Sequence, residues 1–598
     1  MINEVKKVFD AIHKLRFILS PEQKIYCLIV FIMSLISSCF ELLGISIVIP
    51  LLTAILSVDQ LRTNSKLSPI LAFFHLSTDK QIIFFLCICI AGIYIVKNVF
   101  AVFYTWTSAK FANKIRRELS LEIFRAYIAQ GYTYFVNNNS SEILRGIGND
   151  PQSVQTIVSN LFLLMVRIVT VMCIVVFIVI QTPAIALVLI ILAVFSFGIS
   201  EKIFKNSMKQ SGVDQRHYSH LARQASLEAI QGSKEIFVLN RQNYFTDEYL
   251  RCMSKYDNAC AKQNVGATAP TNLLEAVCVI GVIFMVAYQS LGTTDMNGLI
   301  TKLGVVAVAA FRILPYLGAI LGCINTIIFN APGLVVAYDT LYEVKELKKK
   351  ELTPASENKN MNIKFQKEIS LSHITFSYTK ENGNVLNDLD LVIKKGTSIG
   401  LIGTSGAGKT TLSDLILALY KPQSGTIQMD GINIDDIGTQ WHYITGYVPQ
   451  SVYLADSSIR RNVAFGIQES KIDDQKVWKA LEMAQLKPFV ETLKSGLETQ
   501  VGEWGVKFSG GQRQRIAIAR ALYNDPDILI MDEATAALDN ETEQAVMESI
   551  EALQGIKTLI IVAHRLTTIR KCDEIYEIVN GKAVLRSHHE IFGKETAE

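Results

Sequence analysis

Apolar residues cluster along this chain in a pattern that changes character twice. Through about residue 330 they gather into six windows: Ile25–Leu52, Ile82–Trp106, Leu161–Ile180, Ala184–Ile203, Leu273–Tyr288 and Leu299–Cys323. Each approaches the ~20 apolar residues that a membrane-crossing helix needs. After the second and fourth windows the spacing becomes three and four residues, as in Phe111, Ile115, Leu119, Ile123 and Phe124, which is a helix period. These stretches are too long for turns. They predict helices that continue well past the membrane, each pair closed by a short crosswise helix, near Tyr132–Asn138 and near Lys234–Tyr244. Residues 341–366, with Leu347-Lys348-Lys349-Lys350-Glu351 and Thr353–Asn358, are polar and read as a linker. From Ile369 the pattern turns to strands, first Ile369, Leu371, Ile374 and Phe376. The expected domains are a transmembrane domain over 1–340, a linker over 341–366 and a second domain over 367–598.

Charge sets the orientation. Lys and Arg crowd the two long connections, from Lys110 to Arg145 and from Lys205 to Lys262, which places both on the cytoplasmic side. Met1–Ser20 carries Lys6, Lys7, Lys14 and Arg16 among apolar residues at helical spacing, with no long apolar core and no small-residue cleavage site. It reads as an amphipathic helix on the cytoplasmic membrane face, ended at Leu19-Ser20-Pro21-Glu22. Gln181-Thr182-Pro183 and Leu291–Asn297 are short outer turns, whereas residues 53–80 are longer, with Pro69 before the apolar run Ile70–Phe74. A chain of 598 residues exceeds a single core. Half of it is apolar and its mean hydropathy is +0.28, above that of a soluble enzyme. A net charge of only +3 argues against nucleic acid as a partner. The ten cysteines have no zinc spacing and read as small apolar fillers.

One motif carries chemistry unaided. Gly403-Thr404-Ser405-Gly406-Ala407-Gly408-Lys409-Thr410 matches GxxxxGK[ST], follows the apolar run Ser398–Ile402 and leads, through Thr411, into a helical stretch, Leu412–Leu419. Strand, loop and helix in that order make a P-loop, whose backbone N–H groups cradle phosphate at a helix N-terminus. Lys409 is placed for the β- and γ-phosphates of ATP and Thr410 for Mg²⁺.

Downstream, Phe508-Ser509-Gly510-Gly511-Gln512 and Ile528–Met531 followed by Asp532-Glu533 make the chain resemble the ATP-binding-cassette family. FSGGQ stands where LSGGQ is commoner. The resemblance covers about residues 367–590 and implies a role for each matching position. Tyr378 stacks on adenine. Gln450 senses Mg²⁺ and faces the membrane domain. Asp532 holds the Mg²⁺ water, and Glu533 is the general base. Asp539 crosses to a partner cassette, and His564 contacts the γ-phosphate. Glu503 resembles an exporter cross-talk motif in which Trp504 replaces the usual Arg or Gly. The crosswise helices resemble coupling helices that dock on the cassette. The implied fold is a multi-domain membrane protein: an all-α six-helix transmembrane domain with long cytoplasmic extensions, joined to an α/β P-loop ATPase domain. It works as a homodimer, because the P-loop of one copy and the signature of the other enclose each ATP.

Substrate is read from charges inside the spans, which are costly there and functional by default. They are Glu41, Lys97, Arg167, Glu275 and Arg312, with Lys97, Arg312 and Arg167 as candidates for an anionic group and the glutamates as possible ion-pair partners. Phe17–Ser20, Ser141–Leu144 and Phe311-Arg312-Ile313-Leu314-Pro315 resemble bacterial lipid-linked oligosaccharide flippases. Thr271, and the lack of a further Arg after Pro315 in the sixth window, depart from that family. The resemblance implies a lipid-linked substrate, glycan-assembly enzymes as neighbours and a bacterial inner-membrane location. A multidrug or peptide exporter is the alternative. A cassette that regulates without transporting is a third reading, opposed by the six windows.

Overall fold

The computed structural model describes residues 2–46, 78–181, 183–290, 296–351, 363–379, 383–533, 540–563 and 565–593. The chain divides into two compact units, Met1–Glu351 and Leu352–Glu598.

The first unit is helical. α1 (Ile2–Ile18) is followed by the long helices α2 (Pro21–Ser46), α3 (Asp79–Ala129), α5 (Ser140–Gln181), α6 (Pro183–Gln231), α8 (Gln242–Ser290) and α9 (Met296–Glu351). The six apolar windows fall on these long helices; residues 47–52 of the first lie outside the described residues. At ~1.5 Å per residue, the 51 residues of α3 span about 75 Å, far more than a ~30 Å hydrocarbon core. The helical period therefore does continue beyond the apolar windows. Its inward face is real: Phe111, Ile115, Leu119 and Ile123 are buried. Phe124, one residue further round the helix, is exposed.

A core formed by α1, α2, α3, α5 and α9 holds this unit together, with Leu15, Val30, Ile115, Ile157 and Leu334 at its centre. α1 lays Ala11, Leu15 and Ile18 inward and sets Phe17 edge-on to Tyr338 of α9, with ring centres 5.0 Å apart. In the upper helices large apolar side chains such as Phe84, Val99 and Phe103 face outward, the pattern of a surface solvated by lipid. α8 and α9 touch closely where Gly322 meets Ala267: a Cβ on that glycine would lie 2.3 Å from the Ala267 carbonyl oxygen.

Three expectations change in detail. The second crosswise helix is shorter than expected: α7 is Ser233–Val238, Asn240 turns the chain at φ 53°, and Tyr244 belongs to α8. The first is α4, Tyr132–Asn137. The polar run at 341–351 is not linker but the last part of α9, because Leu341 is buried and the lysines that follow are good helix formers. The outer connection with Pro69 and Ile70–Phe74, Thr182 and residues 291–295 lie outside the described residues.

The second unit holds two sheets. β1 (Glu368–Phe376), β2 (Leu386–Lys394), β4 (Ser424–Met429) and β5 (Ile432–Asn433) form an antiparallel sheet in the order β2-β1-β4-β5. β1 is not a simple alternation. His373 takes φ 55° and the register shifts between Leu371 and Ile374, so a bulge brings Ile369, Leu371, Ile374 and Phe376 all to the core. The larger sheet runs β10-β9-β3-β8-β7-β6 and is parallel from β9 to β6. Its strands are β3 (Ser398–Ile402), β6 (Thr445–Val448), β7 (Ile528–Asp532), β8 (Thr558–Val562), β9 (Glu574–Val579) and β10 (Lys582–Arg586). β7 and β8 are buried on both faces, as their unbroken apolar runs require. Leu529, Met531, Leu559 and Ile561 enter one core; Ile528, Ile530, Ile560 and Val562 enter the other.

Candidate active site

Strand order builds the site. β3, β8, β7 and β6 are consecutive parallel neighbours, so the loops leaving their C-terminal ends stand side by side. The P-loop follows β3, Asp532 and Glu533 end β7, and Gln450 follows β6. His564 follows β8, and Asp539 follows β7; both lie outside the described residues.

The P-loop needs its glycines. Gly403 sits at φ 144° and Gly408 at φ 104°. A Cβ on Gly403 would lie 2.7 Å from the Ile578 carbonyl oxygen, and one on Gly408 2.9 Å from Leu386 Cδ2. The turn leaves Thr404, Ser405, Gly406 and Thr410 exposed, half-buries Ala407 and leads into α10 (Lys409–Ile416). Lys409 is buried, and its ammonium folds back to donate to the carbonyls of Gly403, at 2.9 Å, and Thr404, at 3.2 Å. An ammonium kept from water needs such acceptors, and phosphate oxygens are stronger ones. The Tyr378 hydroxyl lies 2.8 Å from that of Thr411, and its ring, edge-on to Phe376 and Tyr420, is half exposed.

Asp532 is buried at the end of β7. Sequence reasoning missed its neighbour: burial and the Asp532 carboxylate push Asp414 of α10 up to about 6. The signal was available, because Asp414 stands about one turn beyond Thr410 on the P-loop helix. Glu533 adopts φ 46°, uncommon for a side chain other than glycine, and its N–H bonds to the Val562 carbonyl at 3.0 Å. The Gln450 amide donates to the Glu533 carboxylate, so two candidates from separate strands meet.

The signature opens α11 (Gly510–Leu522). Ser509 accepts from the Gln512 N–H at 3.3 Å, and its own N–H donates to the Gln512 side chain at 2.9 Å. Ser509 is exposed, Gly510 and Gln512 half-buried, and Gly511 buried. Trp504 stands at φ 56° with its ring edge-on to Tyr453.

The membrane unit distributes its charges differently from the expectation. Lys97 is no free cation: its Nζ lies 2.6 Å from Glu41 Oε2, and both side chains are largely buried. The ion-pair alternative holds there, because two charges on facing helices cost less together than apart. Arg167 makes no ion pair among the described residues; its guanidinium donates to the Ala319 carbonyl at 2.8 Å and to Cys323 Sγ at 3.3 Å. Glu275 is exposed. Arg312 lies on α9 outside the described side chains.

Comparisons place both units. The pattern described as ABC transporter matches residues 386–536, and that described as ABC transporter transmembrane region matches residues 25–299. The heterocyst differentiation ATP-binding protein HepA of Nostoc is 30% identical over 478 residues, covering 79% of this chain and 76% of that one. An ATP-dependent lipid A-core flippase of Pseudoalteromonas translucida is 30% identical over 508 residues, covering 82% and 84%. A flippase of the same name from Ralstonia nicotianae is 28% identical, covering 85% of each. The solved structure of a bacterial Atm1-family ABC exporter with ATP bound superposes with a TM-score of 0.73 over 96% of each chain, at 20% identity.

Proposed function

Given that this chain belongs to the ABC transporter family, as an ATP-hydrolysing exporter-type half-transporter, we propose that it is a flippase. Its substrate in this reading is a lipid-linked oligosaccharide or a related phospho-glycolipid, moved from the inner to the outer leaflet of a bacterial inner membrane. One observation carries the reading: Arg167 stands on α5 with carbonyl and thiol acceptors and no carboxylate partner among the described residues. A guanidinium left uncompensated inside a span suits a phosphate, whose geometry it matches. The flippase names of relatives point the same way. Arg312 is kept beside Arg167; Lys97 is not, since Glu41 already neutralises it.

In the cassette, Lys409 and the P-loop amides hold the nucleotide phosphates, and Tyr378 packs on the base. The Thr410 hydroxyl, the Gln450 side-chain oxygen and the Asp532 carboxylate form an all-oxygen donor set, which fits Mg²⁺. When bound, that ion neutralises charge on the transferring phosphoryl group. Glu533 takes the proton of the attacking water, held in place by Gln450, and His564 meets the γ-phosphate. Ser509 to Gln512 complete the site of a second copy, so the working unit is a homodimer.

The test is ATP-driven flipping of a polyprenyl-pyrophosphate-linked saccharide in proteoliposomes. Flipping that needs ATP supports the proposal. Export of cationic dyes or peptides with no movement of the glycolipid overturns it in favour of a drug or peptide exporter.

A further inference from the structure

α5, α6, α8 and α9 enclose a second feature, a cavity of about 240 Å³. Its walls include Arg145, Asp150, Gln215, Arg216, Tyr256 and Asn330. At ~30 Å³ per liquid water it is too roomy for one or two bound waters. It is also smaller than the roughly 300 Å³ at which drug-sized pockets begin.

The charges of the wall are already paired. Arg216 Nη2 donates to Asp150 Oδ2 at 3.2 Å, and Arg145 Nη2 to Glu142 Oε1 at 2.9 Å. An incoming anion therefore meets no uncompensated cation and faces the Asp150 carboxylate. Hydrogen-bonding capacity is nevertheless left over. The Nε–H groups of both Arg145 and Arg216 are buried without an acceptor, and Arg145 is itself 8% exposed. Buried donors of this kind require partners. Asn330 spends one amide N–H on the Thr326 carbonyl at 2.9 Å, and Gln215 bonds to Tyr256, but each amide keeps further donor or acceptor capacity, and Tyr256 adds an aromatic surface. A neutral ring bearing several hydroxyls suits the amides and the tyrosine together, and reaches the two Nε–H groups only if the arginine side chains shift.

We propose that this cavity is a subsite for one neutral sugar ring, resting on the flippase reading for the source of that sugar, the glycan of the lipid-linked substrate. It lies apart from Arg167, so head-group phosphate and glycan are recognised by different residues.

The test uses the full chain in detergent micelles with a free neutral disaccharide as probe, followed by saturation-transfer NMR. Transfer to the sugar is expected, unaffected by inorganic phosphate. Asn330→Leu and Gln215→Leu are each expected to weaken it about tenfold, the size of one or two lost hydrogen bonds. Tyr256→Leu, which removes the aromatic surface, serves as a further variant if either fails to fold, and thermal melting in micelles reports folding in every case. No transfer, equal transfer in the variants, or displacement by phosphate overturns the subsite. The flippase reading is scored separately: disaccharide binding without glycolipid flipping sinks that reading and leaves the subsite, and flipping without disaccharide binding does the reverse.

Discussion

In the cassette the candidate catalytic side chains leave the ends of neighbouring parallel strands, whereas in the membrane unit the candidate charges stand on the flanks of long helices. Strands in a sheet lie about 4.8 Å apart, so their ends deliver side chains to one edge whatever the rest of the chain does. A helix turns by about 100° per residue, so the partner of a flank residue depends on how two helices cross. Gln450 meets Glu533 because β6 adjoins β7. Lys97 meets Glu41 because α2 and α3 pack in one particular rotation. Cassette chemistry therefore resides in short contiguous motifs, and membrane-unit chemistry in pairings between distant segments.

The sharpest break would come at Glu533. Replacing it by Gln keeps an acceptor for Gln450 but removes the base, so ATP hydrolysis is expected to fall by roughly 10²–10⁴ while ATP binding persists. Steady-state hydrolysis and nucleotide binding on purified protein check this. Hydrolysis near the parental rate would mean that the strand end does not hold the base.

Lys97→Gln makes the opposite demand. It leaves the Glu41 carboxylate without its partner, and about 3 kcal/mol of stability is expected to go with it. Thermal melting in micelles should show the loss, flipping per folded molecule should hold, and adding Glu41→Gln should recover most of the stability. A normal melt with lost flipping would return Lys97 to the substrate site.

This pair also marks where sequence stops being informative. The P-loop, the signature and the Asp532-Glu533 strand end were legible because each is a run of adjacent residues whose neighbours fix its conformation. The long helices were legible from a period, down to the buried row Phe111, Ile115, Leu119 and Ile123. Which of Lys97 and Arg167 is compensated was not legible, since both are cations in apolar windows and only helix rotation separates them. The β1 bulge was hidden for a similar reason: three-residue spacing between Leu371 and Ile374 breaks alternation unless a residue is looped out.

Arg167→Gln tests the uncompensated charge. Flipping of the pyrophosphate-linked saccharide is expected to fall about tenfold, equal to ~1.4 kcal/mol of lost binding, with melting unchanged. Arg167→Lys should rescue poorly, because an ammonium lacks the planar fork. Loss of melting temperature without loss of flipping would make Arg167 a packing residue bonded to Ala319.

The smallest effect belongs to the cassette, at the sheet end remote from the site. Lys557 Nζ lies 2.7 Å from Asp525 Oδ1, just ahead of β8 and β7 respectively, and Lys479 reaches Asp525 Oδ2 at 3.3 Å. The hydrogen bond from Lys557 holds the Asp525 carboxyl below its ordinary value of 3.8. Asp525 is 56% exposed, so solvent screens the pair to about 0.5 kcal/mol. A depressed carboxyl contributes stability above its unfolded pKa and loses it as pH falls through the folded value. The melting gap between parent and Lys557→Met should therefore be constant from neutral pH down to about 3.8 and close below it. A gap that persists in acid would mean that the buried lysine stem, not its charge, ties the two strand starts together. The cassette would then depend on helix-like side-chain packing at one end of its sheet while the other end follows strand order alone.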